Sequence, residues 1–66
     1  MTGEQDIYRA AKQVIDQHGD DAGNFALKRS EQLFDEDDAE GAVTWRLILN
    51  AIVELQRERG PDEGLN

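Results

Sequence analysis

"AEGAVTWRLILNAIVELQ", residues 39–56, decides the fold. Its apolar side chains recur at helical spacing: Ala42, Trp45, Ile48, Leu49, Ile52 and Leu55 share one broad face. The period predicts a helix over residues 39–59. Gly60-Pro61 supplies the stop, because proline cannot continue the hydrogen-bond ladder and restricts the residue before it. Residues 61–66 then read as a flexible acidic tail. Trp45 is the expected centrepiece of the core, with Ile48, Leu49 and Ile52 beside it. Val43 and Leu47 fall nearly opposite Trp45, and with Ala51 they make a small patch that the core is not expected to cover.

The turn before this helix carries five acidic side chains in six positions: Asp35, Glu36, Asp37, Asp38 and Glu40. A calcium loop of the EF-hand type needs oxygen ligands at positions 1, 3, 5 and 12 and glycine at 6. Counting from Asp35 puts Ala39 at 5 and Arg46 at 12; counting from Glu36 puts Gly41 at 6 but Leu47 at 12. Neither register works. A helix start fits better, with Asp37 and Glu40 at capping-box spacing and the carboxylates gathered at the positive helix end. One or two acids meet that need. The surplus repels itself, and it marks the turn as a candidate partner-binding surface.

Two further helices are legible upstream. Over 3–18, Ile7, Ala11, Val14 and His18 share a face, Thr2 and Gln5 stand at capping-box spacing, and Gly19 supplies a left-handed stop. Over 21–35, Ala22, Ala26, Ser30 and Leu33 form an inward face, with Phe25 and Phe34 at its flanks and Asp20 or Asp21 as cap. The small residues on that face allow a neighbouring helix to approach closely. Nothing alternates with period two. Short connections between three helices predict an all-α, compact up-down-up three-helix bundle, a single domain over 1–60. Its two turns lie at opposite ends, so two acidic poles are expected. One gathers Asp16, Asp20, Asp21, Asp62 and Glu63, the other the acidic turn with Glu4 and Asp6.

Composition narrows the occupation. Sixty-six residues bury only about 60% of their unfolded surface, so the core is small. There is no cysteine and one histidine, which excludes disulfides, thiolate chemistry and the usual Cys/His zinc frameworks. Fifteen acids against seven bases give a net charge of −8, which disfavours direct binding to nucleic acid or anionic lipid and suits a basic partner. The N-terminus lacks an apolar stretch of signal-peptide length and nothing approaches a membrane span, so a cytoplasmic protein is expected. His18, among Asp16, Asp20 and Asp21, has neither a second histidine nor a nucleophile to work with. It reads as a structural residue closing a helix at its negative end. No catalytic residue, cofactor site or metal site is assigned.

From Val14 to Gln56 the chain resembles small alphaproteobacterial proteins grouped as a domain of unknown function. "DQHGDDA" (16–22), "ALKRSEQL" (26–33) and "AEGAVTWRLILNAIVELQ" (39–56) carry the likeness. The resemblance implies a compact helical fold and supplies no catalytic residues. This turn, "FDEDDAEG", is more acidic than the pattern at that point.

The expected function is a noncatalytic interaction module that binds a protein partner, with a homodimer as one form of assembly. Its binding residues are Asp35, Glu36, Asp37, Asp38, Glu40, Val43 and Leu47. The alternative is an acidic mimic of nucleic acid that inhibits a basic nucleic-acid-binding protein, in the manner of anti-defence proteins. Divalent-cation binding stands third.

Overall fold

The computed structural model describes the backbone of residues 3–65 and the side chains of residues 3–57. Three helices, α1 (Glu4–His18), α2 (Ala22–Asp35) and α3 (Ala39–Leu65), follow one another, with a single 3-10 turn, Gly19–Asp21, between the first two. No strand occurs among the described residues. The all-α class and the small bundle expected from periodicity are what the chain forms.

Neighbouring residues fix the directions. Phe25 meets Trp45, while Phe34 and Asp35 border the same groove as Ala39 and Val43, so α2 runs antiparallel to α3. Ile7 and Tyr8 border a hollow with Ala51 and Glu54, and Ile15 borders another with Leu55, so α1 runs along α3 in the same sense. The Tyr8 hydroxyl donates to the Glu54 carboxylate, and the Gln56 side-chain amide donates to the Gly19 carbonyl at 2.9 Å. These two bonds tie α3 to α1 and to the α1–α2 turn.

The helix ends are set by local chemistry, and they differ from expectation in four places. Gly3 is the N-cap of α1 and no side chain caps it, so the helix starts one residue later than a Thr2–Gln5 box requires. Thr2 itself lies outside the described residues. Asp21 holds the N-cap position of α2, but its carboxylate accepts from the Asn24 side-chain amide at 3.3 Å rather than from the backbone. The cap of α3 is Asp38, one residue after the expected Asp37. Finally, α3 passes through Gly60-Pro61 to Leu65 instead of stopping at Arg59. Proline's φ is itself helical, and here it forfeits one ladder bond near a helix end rather than at the centre of a packed element. The side chains of the expected tail, Asp62 and Glu63 among them, lie outside the described residues.

Gly19 ends α1 as expected, but with a ψ of −128° it lies outside the left-handed helical region. Its φ of 59° is positive, in a region open essentially to glycine, and a Cβ there would meet nothing within 4 Å, so conformation rather than space demands glycine.

The core is built mostly from small side chains: Ile7, Ala11, Val14, Ala22, Ala26, Ile48, Ala51 and Ile52 cluster together, with Leu33, Ala42 and Ser30 also buried. Ile52 is the largest side chain fully enclosed. Burying one such residue is worth roughly 1.5–3 kcal/mol, a large share of what a domain this size retains. Trp45 is not the centre. It is partly buried at the edge of the cluster, as are Leu49 and Leu55. Alanines at the seam bring the helices close and leave no room between them for an indole. Trp45 instead meets Phe25 edge-on, centroids 5.8 Å apart and planes at 75°. Phe25 in turn stacks on His18 at 4.0 Å and 18°. His18 is the last residue of α1, and Phe25 is an aromatic partner the sequence did not disclose.

Candidate functional site

The α2–α3 turn gathers most of the expected site residues, and its backbone explains two of the acids. The Asp38 amide donates to the Leu33 carbonyl at 2.8 Å and the Asp37 amide to the Phe34 carbonyl at 3.1 Å. This paired closure is a Schellman ending for α2, with Asp37 at the left-handed position, φ 66°. Aspartate tolerates that conformation better than most side chains do. One residue later the Asp38 carboxylate accepts from the Gly41 amide at 3.0 Å, and the Asp38 carbonyl accepts from Ala42. Asp38 therefore ends one helix with its N–H and begins the next with its side chain.

Gly41 has a steric reason to be glycine. A Cβ there would stand 2.6 Å from the Asp38 Oδ2 atom. The expected capping-box partner, Glu40, does not take that part; its backbone carbonyl accepts from the Thr44 hydroxyl at 3.0 Å. Asp35, Glu36, Asp37, Asp38 and Glu40 are all exposed. The acids left without a capping role are Asp35, Glu36 and Glu40. Glu4, expected to share this end, instead borders the hollow near Leu47 and Asn50, well along α3.

The apolar part of the site is larger than expected at one end and smaller at the other. On α3 the row Ala51, Leu47, Val43 repeats every four residues, and its exposure rises from 4% through 47% to 60% toward the acidic turn. On α2 the row Ala22, Ala26, Ser30, Phe34 does the same, from 0% through 4% at Ser30 to 69% at Phe34. Ala51 is thus buried, a correction to the expected patch: the first half of α1, around Ile7, covers that end of the row. No described residue of α1 lines the groove at the other end, although Leu47 also borders the hollow with Glu4 and Ile7. There Ser30, Phe34, Ala39, Ala42, Val43 and Leu47 line an open groove of about 660 Å³. Glu31 and Asp35 border it from α2 and Arg46 from α3.

Val43, Leu47 and Asp35 are therefore brought together, while Glu36, Asp37, Asp38 and Glu40 sit on the adjoining turn. From the sequence, Phe34 is only a flank of the inward face of α2. The signal that could have found it is its spacing, four residues beyond Ser30 on the inward row.

Among the described residues no group of three or more His, Asp or Glu side chains is placed to hold a metal ion, and no helix is long and apolar enough to cross a membrane. Comparison with family models, with curated proteins and with solved structures finds no match to this chain.

Proposed function

We propose that this chain is a noncatalytic interaction module that binds a protein partner through α3 and the acidic turn before it. The observation that carries the reading is the exposure of Phe34, Val43 and Leu47 side by side in a domain with so little core. Single exposed apolar residues are ordinary, but a contiguous apolar groove with a charged rim is characteristic of an interface. Because Val43 and Leu47 contribute little to the core, Val43→Asp and Leu47→Asp leave the fold intact and abolish partner capture from cell extract. Capture unchanged by both substitutions overturns the reading.

A second reading, an acidic mimic of nucleic acid that occupies a basic groove, draws support from the five exposed acids between Asp35 and Glu40. It differs in its salt response, since exposed charges are screened within about 8–10 Å at ordinary ionic strength. Under it, neutralising Asp35, Glu36 and Glu40 together abolishes capture while Val43→Asp does not, and capture falls steeply with added salt. These three acids are the ones to change, because Asp37 and Asp38 also serve the backbone.

A further inference from the structure

We propose that the groove between α2 and α3 receives a cationic amphipathic helix from the partner. Its apolar stripe seats on Phe34, Val43 and Leu47, and its lysines or arginines face Glu31 and Asp35. The proposal rests on the interaction-module reading and specifies the occupant.

Shape is the first argument. The groove lies along the seam of two antiparallel helices and is walled by residues at four-residue spacing on each, Ser30–Phe34 on one side and Ala39–Val43–Leu47 on the other. Ridges and furrows of that period are what a third helix packs against. The buried end of the α3 row, at Ala51, already receives α1 in that way.

Area argues against a second copy of this chain. The bare parts of Phe34, Val43 and Leu47 amount to on the order of 300 Å². A stable dimer buries about 800 Å² on each partner. One short helix needs far less, and two copies, each of net charge −8, repel one another.

Charge names the sign of the occupant. Glu31 and Asp35 stand on the rim, and Glu36, Asp38 and Glu40 are exposed beside its mouth, against Arg46 as the single cation among the described lining residues. A cationic helix is steered toward this end and an anionic one is repelled.

The test uses the full chain, isotope-labelled, and a set of helical peptides of about 14 residues. Each carries leucines at helical spacing and lysines on the flanks, and a matched set carries glutamates instead. The lysine peptides are expected to bind and to move the resonances of Phe34, Val43 and Leu47, while the glutamate peptides do not. Leu47→Asp weakens binding about tenfold or more. The double change Glu31→Lys/Asp35→Lys, which touches no buried residue, weakens the lysine peptides and admits the glutamate peptides. Both variants are checked by circular dichroism and thermal melting before use.

Four results overturn the proposal: no lysine peptide binds, both sets bind alike, the shifts map away from the groove, or sedimentation shows a dimer that Leu47→Asp dissolves. If the peptides fail while capture from extract still depends on Val43 and Leu47, the helix is wrong and the interaction module stands. If capture ignores both residues, the broader reading falls and takes this one with it.

Discussion

The Asp38 carboxylate accepts a hydrogen bond from the Gly41 amide at 3.0 Å, while the Asp38 amide closes α2 on the Leu33 carbonyl at 2.8 Å. One residue thus joins two helices that pack along most of α2, and its side chain is the only part a mutation can remove alone. Asp38→Ala is expected to lower stability by about 1 kcal/mol, the usual worth of an N-cap. In a domain of this size that is a fall of about 4–8 °C in melting temperature. Asp38→Ser retains most of it, and Glu36→Ala, at an exposed acid with no cap to lose, changes little. Thermal melts of the three variants decide the point.

Gly41 and Asp38 should be coupled. In the native chain, Gly41→Ala gains about 1 kcal/mol of helix propensity but drives its Cβ toward the capping carboxylate, so the net change is near zero. With Asp38 already replaced by alanine nothing stands in the way, and the same substitution stabilises by about 1 kcal/mol. Equal effects in both backgrounds would show that the carboxylate swings aside freely.

Asp37 carries the left-handed turn, where any Cβ is disfavoured. Asp37→Gly is expected to stabilise by about 0.5–1 kcal/mol, and Asp37→Val to destabilise by at least about 1 kcal/mol. Urea unfolding should show shifted midpoints with an unchanged slope, since neither variant alters the surface exposed on unfolding.

The aromatic chain His18–Phe25–Trp45 links the end of α1 to the N-terminal third of α3 through α2. Phe25→Leu removes both ring contacts, for an expected loss of about 1–2 kcal/mol, and shifts Trp45 fluorescence toward the red. Ile52→Val loses about 0.5–1.5 kcal/mol from the core and leaves the emission where it was. The pair separates ring contacts from simple burial.

Helical period alone determined that the chain is three helices, where the apolar face of each lies, and that Gly19 turns the chain. These are local properties: spacing on one helix and the conformational freedom of one residue. It also singled out Val43 and Leu47, because they fall outside the stripe that the core can use. Other properties depended on how the helices meet. Periodicity places Trp45 and Ile52 on the same face, and only the close approach of alanine-lined helices sends the indole to the edge and encloses Ile52. Ala51, Leu47 and Val43 are equivalent along one row; the reach of α1 buries the first and leaves the other two bare. Within the acidic run, composition cannot say which carboxylate serves the backbone. The register of the Schellman closure gives that work to the Asp38 carboxylate, with Asp37 serving only through its left-handed backbone, and it leaves Asp35 to line the groove with Phe34.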